Sequence, residues 1–147
     1  MNFTTAVKTC FHKYADFQGR ARRSEYWFYT LFNLITLVTL TIIGAIIGFS
    51  LRTGPTDRYM LIGAIFILVG LYWLAMIVPT LAVTVRRFHD LGVSGWFILL
   101  FFVLGLIPYV GWLASIGQLI WFCQRGTDGE NKYGQDPYGY DPSEVFS

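Results

Sequence analysis

The chain has 147 residues, a formal net charge of +2, and 20 charged side chains, 11 basic and 9 acidic. None of the 20 falls in residues 26–51, 59–85 or 91–124, which together hold 87 positions. A soluble domain needs a polar face on its surface helices. This partition therefore excludes an ordinary soluble protein, a secreted disulfide scaffold, a coiled coil and a disordered chain, and the small net charge gives no reason to expect a nucleic-acid partner.

Residues 2–17 read as a short amphipathic helix. Phe3, Ala6, Val7, Cys10, Phe11 and Tyr14 share one face, and Thr5, Lys8, Thr9, His12 and Lys13 fill the other. Asn2 suits the N-cap, and lysines on the polar face suit a membrane surface, the alternative being that the helix packs on the cytoplasmic ends of the spanning helices. Gly19 ends the pattern. A basic run through Arg20, Arg22 and Arg23 then leads by Tyr26 and Trp27 into a first span over residues 27–49. Gly54-Pro55 marks a turn, and a second span covers residues 59–78. Pro79 predicts a kink, with Thr80 and Thr84 placed to satisfy the backbone groups it frees.

Arg86, Arg87, His89 and Asp90 form the next charged cluster, and residues 91–95 read as a loose turn. The third apolar stretch has 34 residues. As one helix it would reach about 51 Å, against a hydrocarbon layer of roughly 30 Å. Pro108 and Gly111 divide it into segments 93–107 and 110–123. Both are short for a crossing, so they either cross with local thinning or form a re-entrant hairpin. Gly126 suits a helix C-cap, and residues 138–147 read as a polar tail of turns or disorder. The expectation is an all-α membrane protein with one domain over residues 1–137. It has four membrane-embedded segments, the last two a short hairpin, and an amphipathic N-terminal helix.

With both termini inside, nine Lys and Arg residues lie on the cytoplasmic side and two outside. A three-span arrangement would give seven and four. The positive-inside rule favours the first. Cys10 and Cys123 then both lie near the cytoplasm and are expected as free thiols. The polar first 25 residues lead into a full-length span, so no removable signal peptide is expected.

Three stretches stand together: residues 17–27 (FQGRARRSEYW), 86–96 (RRFHDLGVSGW) and 126–137 (GTDGENKYGQDP). Their order and spacing resemble the YhaH-like bacterial inner-membrane family, a domain of unknown function (number eight hundred and five in that series). The resemblance covers about residues 11–137. Gln135 stands where many relatives carry Pro, and Phe97 where a second Trp is common. The resemblance implies a small polytopic inner-membrane protein and brings no activity with it.

The candidate site is Arg22, Arg23, Glu25, Arg86, Arg87, His89 and Asp90, all expected at the cytoplasmic interface. Arginine forks pair with carboxylates in two places, so the cluster reads as ion pairs across helix ends. The same arginines also suit an anionic lipid headgroup. His89 and Asp90 are sequence neighbours, about 100° apart on a helix, which does not suit an oriented general base. His12, His89 and the two Cys lack metal-ligand spacing, so no metal and no cofactor are expected. The spans hold no ionisable residue of the kind that marks proton or ion paths. These features favour a non-enzymatic accessory or binding protein whose partners are membrane lipids, a second copy or another membrane protein. A small oligomeric transporter or channel, and an enzyme acting on lipid headgroups, are the alternatives.

Overall fold

The computed structural model describes residues 1–50 and 54–139. The first loop's residues 51–53 and the tail beyond 139 lie outside the described residues. The described chain forms five helices: α1 (Phe3–His12), α2 (Arg23–Ser50), α3 (Pro55–Asp90), α4 (Phe97–Gly105) and α5 (Val110–Cys123).

α1 starts where Asn2 caps it, its side-chain oxygen accepting from the Thr5 N–H at 2.8 Å. Its expected apolar face turns inward, with Ala6 and Cys10 fully buried. Phe3 meets Phe28 edge-on, and Phe11 meets Tyr29 and Phe32 in the same way, which lays α1 along the first three turns of α2.

α3 begins at the Gly54 cap with Pro55 in its first turn, where a missing N–H costs nothing. Its 36 residues make it about 54 Å long. The helix does not stop near residue 78 but runs through Pro79 to Asp90. Pro79 cannot donate to the Ala75 carbonyl, and the Tyr14 hydroxyl donates to it instead. Thr80 and Thr84 do not serve that carbonyl. Thr84 bonds back to the Thr80 carbonyl at 2.7 Å, and the Thr80 hydroxyl meets that of Tyr29 at 3.2 Å. The turn after α3 is tighter than a loose loop. Gly92, at φ +78°, closes a Schellman motif, with its N–H on the His89 carbonyl at 3.0 Å and the Val93 N–H on the Phe88 carbonyl at 3.1 Å.

α4 is shorter than the expected segment 93–107. Single i+3→i turns extend it, from the Phe97 N–H on the Ser94 carbonyl at one end to the Ile107 N–H on the Leu104 carbonyl at the other. The turn into α5 is strained. Tyr109 sits at φ 65°, ψ −44°, and the Val110 N–H closes onto the Pro108 carbonyl at 2.8 Å, a γ-turn. α5 then folds back on α4 so closely that a Cβ on Gly111 would lie 2.9 Å from the Gly105 carbonyl oxygen.

Burial is concentrated at one end of the molecule. Cys10, Ala21, Tyr29 and Val83 pack together there. Phe88 stacks with Phe101 and meets Trp121 and Phe122 edge-on, which brings the bases of α4 and α5 beside the end of α3. The rest of α2 and α3 is apolar and uncovered. Arg23–Phe49 and Tyr59–Asp90 are long enough to cross a membrane, with mean hydropathy 2.2 and 2.6 over their most apolar windows. Only 6% and 0% of those windows is buried. A soluble protein's core helix would be covered, so these surfaces face an apolar solvent. Gly44 of α2 approaches Ile65 of α3, whereas Gly48, one turn on, faces open space.

Candidate functional site

The end of α3 carries Arg86, Arg87 and Asp90 into the buried region, each fully enclosed. Asp90 is held by two arginines. Arg20 Nε donates to one carboxylate oxygen at 3.0 Å, and Arg87 Nη1 donates to the other. Arg87 also donates to the carbonyls of Phe122, at 2.8 Å, and Gln124. Those lie at the C-terminal end of α5, where carbonyls lack helical partners and the helix dipole is negative. Arg20 reaches onward to the carbonyls of Gly129, at 2.6 Å, and Thr127. One carboxylate and two guanidinium groups thus tie together the loop before α2, the end of α3 and the segment after α5.

Backbone contacts complete this knot. Thr127 donates its N–H to the Asp90 carbonyl at 2.8 Å, and the Asn131 side chain donates to the His89 carbonyl at 3.0 Å. Gly126 lies so close to Asp90 that any Cβ there would overlap the carboxylate. Asp136 accepts from the backbone N–H groups of Tyr138 and Gly129, at 2.8 and 3.1 Å, and these hold its carboxyl below the usual range.

A second buried pair lies beside the first. Arg86 Nη2 is 3.1 Å from Glu25 Oε1, and the Cys10 thiol points at the same oxygen from 3.8 Å. The Arg86–Glu25 approach is an ion pair without hydrogen-bond alignment, since neither terminal nitrogen of Arg86 has a well-directed acceptor among the described residues. Burial, with the Glu25 charge adding to it, pushes the Cys10 thiol up to about 12. Cys10 and Cys123 are both free.

The seven residues expected to cluster therefore divide. Glu25, Arg86, Arg87 and Asp90 are buried in two separate ion-paired groups. Arg22 and Arg23 stay at the surface, with no carboxylate partner among the described residues. Arg22 lies over the Tyr138 ring, 5.2 Å from its centre. The Arg23 N–H donates to the Tyr138 hydroxyl at 3.1 Å, and its guanidinium donates to the Cys123 carbonyl at 3.2 Å. His89 stacks flat on Tyr133 at 3.8 Å and turns Nδ1 toward the Gly19 carbonyl at 3.2 Å. It is not oriented by Asp90, so the neighbours form no acid–base pair. Arg20, Thr127, Asn131 and Tyr138 belong to the site and are absent from the sequence-based set. Arg20 shares the basic run of Arg22, Thr127 and Asn131 lie in the stretch 126–137 and Tyr138 directly follows it, but nothing in the spacing assigns their partners.

An open groove begins just above this end, between α2 and α3. Its volume is about 300 Å³, and Tyr26, Asn33, Leu37, Tyr72, Met76 and Val83 are among its walls. No group of three or more His, Cys, Asp or Glu side chains among the described residues is placed to hold a metal.

An all-helical build, two uncovered apolar helices of spanning length and a charged knot confined to one end define an integral membrane protein. The family model described as "Protein of unknown function (DUF805)" matches residues 14–135, and the chain belongs to that family. It is 42% identical over 124 residues to the inner membrane protein YhaI of Escherichia coli (strain K12), covering 84% of this chain and 87% of that one. It is 40% identical to the inner membrane protein YhaH of the same strain, covering 84% and 88%. The uncharacterized protein YiiR of that strain is 31% identical over 139 residues, covering 82% and 85%. These relationships make the chain an inner-membrane protein. No solved structure gives a significant match.

Proposed function

We propose that this protein is a non-enzymatic accessory protein that binds anionic lipid headgroups at the cytoplasmic face of the inner membrane. In this reading α2, α3 and the α4–α5 hairpin are the four membrane-embedded segments, α1 lies at the surface, and both termini are cytoplasmic. The uncovered apolar faces meet lipid, a second copy or another membrane protein.

The division of the arginines carries this reading. Arg20 and Arg87 are consumed by Asp90 and by carbonyls, and Arg86 by Glu25. Arg23 remains exposed and Arg22 half-buried at the surface, at the entry to the first apolar helix. A basic residue at that depth meets phosphate groups and attracts anionic lipid by about 1 kcal/mol. The buried groups hold the two arginines in place, and the thiol–carboxylate contact of Cys10 with Glu25 is enclosed with its thiol kept protonated, which does not suit a nucleophile.

Retention of lipid tests it. Protein in mixed micelles of equal phosphatidylglycerol and phosphatidylethanolamine is examined by native mass spectrometry. The wild type is expected to keep phosphatidylglycerol preferentially. Arg22→Ala and Arg23→Ala should each reduce that preference about fivefold with the thermal midpoint unchanged. A folded double variant with the wild-type preference would refute the reading.

A further inference from the structure

We infer that the groove between α2 and α3 seats one acyl chain of the same lipid whose headgroup meets Arg22 and Arg23. This rests on the headgroup reading above and extends it from a charged patch to a two-part lipid site.

The register of α2 makes the connection. Arg23, Tyr26, Thr30, Leu34 and Leu37 follow one another at steps of three and four, so they form one stripe. The last four line the groove. Arg23 heads the stripe, and its guanidinium lies against the end of α5 through the Cys123 carbonyl. Tyr26 touches Phe122 of α5 edge-on at 4.8 Å, on the same side. A lipid phosphate at Arg23 therefore stands directly over the groove mouth.

Length fits a chain. Tyr26 to Leu37 rises about 16 Å, close to one leaflet of a hydrocarbon layer of roughly 30 Å. The groove's volume is about 300 Å³. The side-chain polar atoms of Asn33, Tyr72, Tyr29 and Thr80 along its wall are already engaged. Asn33 donates to the Tyr29 carbonyl at 2.9 Å and accepts from the Tyr72 hydroxyl at 2.7 Å, and the Tyr29 hydroxyl pairs with Thr80 at 3.2 Å. What remains for an occupant is hydrocarbon surface from Leu34, Leu37, Trp73 and Met76.

The test uses the full-length protein in vesicles of equal phosphatidylglycerol and phosphatidylethanolamine, with a trace of phosphatidylglycerol bearing a diazirine midway along one chain. After irradiation, adducts are mapped by peptide mass spectrometry. They are expected at Leu34, Leu37, Trp73 and Met76 well above the outward-facing Ile35 and Ile67. Leu34→Trp with Met76→Trp should remove the groove adducts and lower retained phosphatidylglycerol, while Ile35→Trp should change neither. Adducts spread evenly over all apolar positions overturn the groove while leaving an arginine-dependent headgroup preference intact. Groove adducts that form equally with a phosphatidylethanolamine probe overturn the joint site through its headgroup half. Protein–protein adducts at groove residues, with a dimer mass in detergent, assign the groove to a second copy and overturn the inference.

Discussion

Asp90 sets the energetic scale of the knot. Asp90 is fully buried between Arg20 and Arg87, so removing its carboxylate leaves two guanidinium groups enclosed without their counter-charge. Breaking a buried pair from one side costs about 3–5 kcal/mol, whereas an exposed pair is worth roughly 0–1. Asp90→Ala should therefore lower the thermal midpoint and yield sharply. Asp128→Ala, which removes an ion pair with Arg125 that is 65% and 77% exposed, should leave both unchanged. Equal behaviour of the two variants in a detergent melt would contradict the assignment. Cys10 gives a second contrast. Its thiol is pushed up to about 12, so it stays protonated through the neutral range, and its burial blocks access. Cys123 is exposed. N-ethylmaleimide near neutral pH should add one label to the folded protein, on Cys123, and a second only after denaturation. Residue identities were legible in sequence as charge clusters, but their pairing was not. Arg20 meets Asp90 across 70 positions, and spacing carries no information about a contact made by tertiary folding.

Helices were more legible than their ends. Uncharged runs and an Asn cap predict α1, α2 and most of α3, because amphipathicity and bilayer thickness act locally along the chain. Where α3 continues through Pro79, the Tyr14 hydroxyl, from the turn after α1, serves the carbonyl that proline leaves free. Proline marks a break only where the orphaned carbonyl has no such donor. Glycines likewise divide by what they face. At Gly111 a Cβ would meet the backbone of Gly105 at 2.9–3.2 Å, atoms that cannot swing away. At Gly117, on the same helix, a Cβ meets nothing within 4 Å. Gly111→Ala should force α4 and α5 apart at the tip, costing about 1–3 kcal/mol as overpacking does. Gly117→Ala should be neutral or slightly stabilising, because alanine favours the helix by up to about 1 kcal/mol. Parallel thermal unfolding of the two variants tests the close approach, and equal midpoints would argue against it.

At the scale of the whole molecule, the knot gathers the loop before α2, the end of α3 and the segment after α5 at one end. That arrangement keeps the charged motifs on one side of the apolar helices and leaves the α4–α5 tip as the hairpin's far point. The tip carries Tyr109 and Trp112, 88% and 79% exposed, and a backbone turn in which the Tyr109 N–H has no hydrogen-bond partner among the described residues. Bare turn backbone costs several kcal/mol per unsatisfied group in hydrocarbon, and Tyr and Trp settle at the polar boundary. Both effects drive the tip to the opposite interface. The hairpin is short: α5 has 14 residues and rises about 21 Å, so the bilayer must thin around it by several Å, at fractions of a kcal/mol per Å. The interfacial gain outweighs that cost, and the hairpin is expected to cross. In a background with Cys10 and Cys123 replaced by Ser, Tyr109→Cys should react in intact cells with a membrane-impermeant maleimide added from outside. A cysteine replacing Ser147 should react only after the membrane is opened. If Tyr109→Cys stays unlabelled from outside while the tail stays protected, the hairpin is re-entrant and the protein crosses twice. The arginine face would still be intact, but Trp112 would then have to be shielded inside the bilayer by a partner.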